Sequence, residues 1–239
     1  IGLVGSEMCI RDRYSMTSLL IYDHRQNGFI CLNEDDSPLP FLRYANVRLR
    51  SFVRSARTNL AWTDRRLLEA YDACCHIWGA PIPAHLAFRR LESGLRAPHS
   101  PHYAGLSIIM GGGMDKSDLS ELHSICLKMK DFDRIAPPYI APSWIEAALN
   151  ISTSQISGYP SLNKGMRGVH VLLLQDALRL CGYVGDGLTG TFSEQTEFNV
   201  KRFNLDHGCG SGAIASQATW KLLMREAMRQ IALVDKAMR

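Results

Sequence analysis

The side chains best suited to chemistry stand in a short stretch from His99 to Gly111, where His102 is followed by Tyr103, Ala104, Gly105 and then an apolar run. A histidine on a loop just before a strand presents an imidazole to a metal, and a zinc hydrolase needs about three protein donors and an open position for water. A second donor is expected on the strand that follows. Seven positions after His102 that place is held by Ile109, whose branched apolar side chain has neither oxygen nor nitrogen to offer a cation. Farther along, Trp144 stands two residues before Glu146, a carboxylate able to ligate zinc. His99, Asp115 and His123 are the other donors available to regroup with His102 and Glu146, although no spacing in the chain joins them.

The elements that must position these residues follow from periodicity and breakers. Leu19 to Tyr22 and Phe29 to Leu32 flank His24 to Gly28, and Asn27-Gly28 offers the positive-φ pair of a tight β-hairpin. Thr63 is the expected N-cap of an amphipathic helix over 64–78, with Leu67, Leu68, Tyr71, Cys75 and Trp78 at helical spacing and Gly79 closing it. Residues 81–88 read as a strand leading to Arg89 and Arg90, and Ser107 to Met110 as the core strand after the histidine loop. A second helix opens at Ser117, with Leu119, Leu122, Ile125, Cys126 and Met129 on one face.

With its ligand positions quoted, this part of the chain resembles the zinc D-alanyl-D-alanine carboxypeptidases, whose motif runs Ser-x-His-x-x-Gly-x-Ala-x-Asp and later Trp-x-His. His102, Gly105 and Ser107 match the first ligand, the Gly and the Ala, while Ile109 replaces the Asp. Trp144 is retained, Glu146 replaces the second His, and Ala148 replaces a trailing Asp. The resemblance implies an α+β peptidase-like domain with a small antiparallel sheet over residues 16–150, and a vestigial metal site of His102 and Glu146. It also implies an arginine holding a substrate carboxylate, with Arg90 or Arg89 the nearest match; a solvated pair of arginines is the alternative. A guanidinium fork suits that task. Relatives place an acidic base three residues before the position of Glu146, where this chain has Ser143.

Residues 151–158 are polar and without periodicity, and serve as an expected linker. Beyond them two stripes recur at helical spacing: Val171, Leu174, Leu178 and Cys181, then Phe192, Thr196, Val200 and Phe203. A third helix starts near Ser216 and runs on through Ile231 to Val234. The order Leu162, Gly165, Gly168, Val171, Leu174, Gln175, Leu178, Gly182, Tyr183, then Gly190-x-Phe192, and finally Ile214, Thr219, Trp220 and Leu223 resembles the three-helix peptidoglycan-binding domain. Thr189 and Ser193 stand where that family's turn has Asp and Gly. The resemblance implies an all-α three-helix domain over residues 159–226, followed by a helical tail at 227–239. Tyr183 and Gln175 are its candidate ligand contacts, with a structural hydrogen-bonding role equally open to Gln175, and Trp220 is expected to pack in the core.

Composition bounds the partners. The 239 residues are 46% hydrophobic and 21% charged with a net charge of +4, enough for one or two domains with sizeable cores. That mild basicity suits an acidic polymer such as cell-wall material and lacks the clustered Lys and Arg of a nucleic-acid binder. No stretch approaches the apolar length of a membrane span. Seven cysteines without Cys-x-x-Cys spacing are expected to be free thiols packed as small hydrophobes. Residues 1–15 look like a translated adapter leader, and with a start at Met16 no signal peptide is visible. The function implied therefore puts the protein at the cell wall or outside the cell by a route the sequence does not display.

Three functions follow from these residues. The first is a peptidoglycan-binding protein with an inactive D,D-peptidase-like domain and no cofactor. The second is an active zinc D,D-carboxypeptidase or endopeptidase using rearranged ligands. The third is a structural or interaction protein. Ile109 and Glu146 favour the first.

Overall fold

A computed structural model describes residues 17–33, 37–56, 58–93, 99–150 and 158–237. The expected leader at 1–15 and nearly all of the expected linker lie outside them. The chain is mixed α/β, with two small sheets and, among the described residues, six α-helices. The described residues divide into two compact units: one takes those from 17 to 89 together with Pro101–Asn150, the other those at 90–93 and 99–100 together with the residues from 158 onward.

In the first unit, β1 (Ser18–Asp23) is the middle strand of a three-stranded sheet, antiparallel to β2 (Gly28–Leu32) and parallel to β3 (Leu60–Asp64). Leu19, Leu20 and Ile21 are all buried, as an apolar run covered on both faces must be. The expected hairpin is present, but its turn is looser than a two-residue one. Gly28 pairs with Asp23 as a strand residue, and only Asn27 takes a positive φ, of 49°. The parallel β3 and the short α1 (Leu49–Phe52) between the strands carry no strong sequence signal.

α2 (Arg65–Trp78) follows β3 directly. Its N-cap is Asp64, one residue later than expected, because Thr63 is a strand residue whose hydroxyl donates to the Gly105 carbonyl at 2.8 Å. The carboxylate of Asp64 accepts from the Arg66 amide. Gly79 closes the helix in the left-handed conformation at φ 82°. Asp72, buried on this helix, accepts the backbone amides of Arg43, Tyr44 and Ala45 at 2.8–3.0 Å and so anchors the irregular segment before α1.

The second sheet is antiparallel, with β4 (Ala84–Leu86), β5 (Ser107–Met110), β7 (Ile145–Ala148) and β6 (Arg134–Ile135) in that order across it. The expected strand over 81–88 is shorter than its apolar run. Between β5 and β6 runs α3 (Lys116–Met129), capped by Asp115, which accepts the Asp118 amide at 2.9 Å. Of the five apolar residues expected on its inner face, only Leu122 and Cys126 are fully buried.

The other unit contains a 3-10 turn at Leu91–Ser93 and the helices α4 (Val169–Leu180), α5 (Glu194–Asp206) and α6 (Gln217–Ala237). Val171, Leu174, Leu178, Phe192, Val200, Phe203, Trp220 and Leu223 form its core, in line with the two expected stripes. Trp220 is fully buried and its indole N–H donates to the Pro160 carbonyl at 2.8 Å. Ser193 caps α5 by accepting the Thr196 amide. Ser216 and Thr219 exchange side-chain and backbone bonds at the start of α6. Among the described residues, no helix is long and apolar enough to cross a membrane.

The cysteine expectation is corrected at one position. Cys74, Cys75, Cys126, Cys181 and Cys209 are free, but Cys31 is disulfide-bonded.

Candidate functional site

Two groupings of polar side chains were singled out in the sequence, one in each unit. The first is built on the antiparallel sheet. A 3-10 turn at Pro101–Ala104 carries His102 and delivers the chain into β5. Gly105 makes that entry feasible: its φ is 66°, and a Cβ there would lie 1.8 Å from the Trp62 carbonyl oxygen of β3. The glycine of the motif is thus required by close backbone packing, whatever the metal chemistry.

Register then assembles the site. Ile109 of β5 faces His85 of β4 on one side and Glu146 of β7 on the other. Directly opposed residues of antiparallel strands project on the same face, so His85, Ile109 and Glu146 form one row. His102 completes the group: its Nε2 lies 2.9 Å from Glu146 Oε1, and its Nδ1 lies 2.6 Å from the Ala87 carbonyl. An imidazole between two acceptors makes both bonds only when both nitrogens carry protons. Its partner carboxylate is held below the ordinary value of a glutamate. The hydrogen bond from His102 is the main cause and outweighs the opposing effect of burial, with the charges of His102, Arg134 and Arg89 adding to it. Arg134, from β6, stands 3.8 Å from the same carboxylate and is largely exposed. Burial and the charge of Arg54 push the His85 imidazole below its ordinary value.

The sheet therefore brings together His102, Ile109 and Glu146, the three positions the resemblance names. Glu146 and His102 are at hydrogen-bonding distance from each other, and Ile109 occupies the third corner with hydrocarbon. Among the described residues, no group of three or more His, Cys, Asp or Glu side chains is arranged to hold a metal ion. The auxiliary donors do not regroup. Asp115 caps α3, His123 sits on α3, and His99 belongs to the other unit, where its ring lies 5.7 Å from that of Tyr159. His85 is the neighbour that sequence reasoning missed, because only strand register brings it beside Ile109.

Arg90, offered above for a substrate carboxylate, groups with the helical unit, and the carboxylate in its fork is that of Asp176. Nε and Nη2 donate to the two Asp176 oxygens at 3.0 and 2.6 Å, with Asp176 wholly buried and Arg90 nearly so. Arg179 adds a contact to Asp176 at 3.2 Å and reaches Glu92 at 3.1 Å. Of the two adjacent arginines, Arg89 is the one whose charge acts on Glu146, alongside that of Arg134.

The second grouping lines a cleft of about 160 Å³ in the helical unit, to which Gln175, Arg179, Tyr183, Asp186, Leu188 and Asn199 contribute. The two ligand candidates of the sequence, Gln175 and Tyr183, thus share one cleft. Gln175 is already engaged. Its amide nitrogen is within 3.1 Å of Thr189 Oγ1, the Thr191 carbonyl and Thr196 Oγ1, and its oxygen accepts the Gly190 amide at 2.9 Å. It therefore ties the turn at 189–191 to α4 and α5, the structural role left open for it. Tyr183 donates its hydroxyl to Asp206 at 2.8 Å and packs edge-on against Phe203. Burial and the Asp206 charge push its phenol up. Its ring remains partly exposed at the cleft, beside the strongly exposed Val184. Asp186 accepts the Ser193 hydroxyl at 2.5 Å, and Asn199 donates to the Val184 carbonyl at 3.1 Å.

No family model, no curated protein and no solved structure matches this chain.

Proposed function

We propose that this chain is a bacterial cell-wall protein that attaches to peptidoglycan through a three-helix domain at residues 159–226, and whose peptidase-like part at residues 16–150 does not hydrolyse stem peptides. The observation that carries this reading is the His102–Glu146 hydrogen bond beside Ile109. A catalytic zinc centre needs three donors converging on one point with their lone pairs free. Here one donor is apolar and the other two satisfy each other. The exposed guanidinium of Arg134 and the charge of Arg89 beside this group suit retention of a peptide carboxylate without its cleavage. In the helical part, the Tyr183 ring at the edge of a small cleft suits packing against a sugar face or a short peptide side chain, and the overall positive charge favours an anionic polymer.

A second reading, an active zinc hydrolase with rearranged ligands, is favoured by one feature. His102 presents Nδ1 to a backbone carbonyl, the way metal-binding imidazoles are oriented. One experiment separates the two. The purified chain is equilibrated with zinc, freed of unbound metal, analysed for bound metal, and incubated with insoluble sacculi. The expected outcome is substoichiometric zinc, no release of D-alanine, and co-sedimentation with the sacculi. Stoichiometric zinc with D-alanine release establishes the hydrolase, while absence of both co-sedimentation and hydrolysis leaves a purely structural protein. The double variant Ile109→Asp, Glu146→His supplies three donors at the three meeting positions and is expected to acquire zinc affinity.

A further inference from the structure

Outside both groupings, two thiols are placed in a way that neither function uses. Cys74 of α2 and Cys126 of α3 are fully buried, and their sulfurs are 3.6 Å apart. A disulfide bond is about 2.05 Å long, so a closure of about 1.5 Å separates contact from bond, within reach of side-chain torsion and a small helix shift. Cys75, the neighbour in sequence, is not equivalent. Adjacent helical residues point about 100° apart, and Cys75 is directed toward the Tyr71 hydroxyl and the Ile82 backbone amide.

We propose that Cys74 and Cys126 are a redox modification site, forming an intramolecular disulfide on exposure to a low-molecular-weight disulfide such as oxidised glutathione. The thiolate of Cys126 attacks one sulfur of the oxidant, forming a mixed disulfide and expelling one thiolate. Cys74 gives up its proton to that thiolate and attacks the Cys126 sulfur, expelling the second. Two protein thiols are oxidised and one external disulfide is reduced to two thiols. Cys126 is taken as the attacking sulfur because it lies on α3, the helix with fewer buried residues, and is the one an oxidant reaches first.

Access comes from the helix that carries Cys126. α3 buries only Leu122 and Cys126 of its fourteen residues, whereas α2 buries seven. The lightly anchored helix is the one that opens to admit the oxidant. Closing the bond then fastens α3 to α2 across a separation of 52 residues.

The test compares the full chain with C126S, both held under native conditions with oxidised glutathione, alkylated, digested without reduction and analysed by mass spectrometry. The expected result is a cross-linked peptide pair containing Cys74 and Cys126, lighter than the sum of its reduced parts by two hydrogen atoms, with Cys75 alkylated. The oxidised full chain is expected to melt roughly 5–10 °C above oxidised C126S. A reaction that stops at glutathione adducts, free thiols at both positions after equilibration, or a bond made by Cys75 overturns the proposal. If C126S does not fold, the peptide map of the unmodified chain decides alone. Neither readout depends on wall binding or zinc, so its failure is distinct from failure of the proposed function.

Discussion

The hydrogen-bonded His102–Glu146 pair of the sheet and the Arg90–Asp176 ion pair of the helical unit sit in different surroundings. His102 and Glu146 meet with side chains 14% and 22% exposed, at the edge of a strand row. Arg90 and Asp176 meet with the carboxylate at 0%, through two bonds, with a second arginine in support. In the first pair each partner can still be reached by water, so breaking it exposes a charge that solvent will accept. In the second, loss of either partner strands a charge in the core, and the penalty of a stranded charge exceeds the worth of the contact itself. An arginine that resembles a ligand-binding residue is thus engaged by its own fold, while the more exposed His102–Glu146 pair stays open to solvent.

That contrast can be broken or sharpened by measurement. The largest effect is expected from Gly105→Ala, which drives a methyl group into the Trp62 carbonyl at a positive φ. Loss of more than about 3 kcal/mol, or failure to fold, is expected in chemical denaturation. Arg90→Met comes next, at about 3–5 kcal/mol, because Asp176 is left buried with only Arg179 beside it; a loss under 1 kcal/mol would erase the distinction between the two pairs. Gln175→Leu should cost about 1–3 kcal/mol by orphaning the Gly190 amide. Tyr183→Ala, read in the sacculus assay, is expected to weaken sedimentation roughly fivefold, equivalent to about 1 kcal/mol.

The smallest effect is expected at Glu146, where it is also the most specific in pH. A carboxyl whose folded pKa is lowered contributes stability that is fully present above its unfolded value and disappears as pH falls through the folded value. Glu146→Gln should therefore lower stability by about 1 kcal/mol or less near neutrality and by nothing in strong acid. Urea midpoints measured at both pH values check this, and a larger loss in acid than at neutrality would reverse the assignment of His102 as its stabilising partner.

Much of the local structure was legible in the chain. Apolar spacing located α2, α3 and the three helices of the second unit, and Gly79 ended α2 where a left-handed residue is needed. The N-cap of α2 was displaced by one residue because Thr63 was claimed by β3, a strand with no clear alternation of its own. The turn of the first hairpin was misjudged because Asn-Gly is also compatible with a longer loop in which only Asn27 is left-handed. In the site, His102, Ile109 and Glu146 were identified from motif spacing, but their meeting was an inference from resemblance, and His85 was not foreseen.

What the sequence alone determined is therefore chemical and short-range: which positions carry donors, that position 109 has none, and which stretches must turn an apolar face inward. Those properties depend on side-chain type and on repeats of two or 3.6 residues, both readable along a line. Only the tertiary structure decided that His85, Ile109 and Glu146 share a row, that Arg90 is consumed by Asp176, and that Cys74 touches Cys126. Such pairings are set by strand register and helix packing, which bring together residues tens of positions apart and leave no spacing rule behind in the chain.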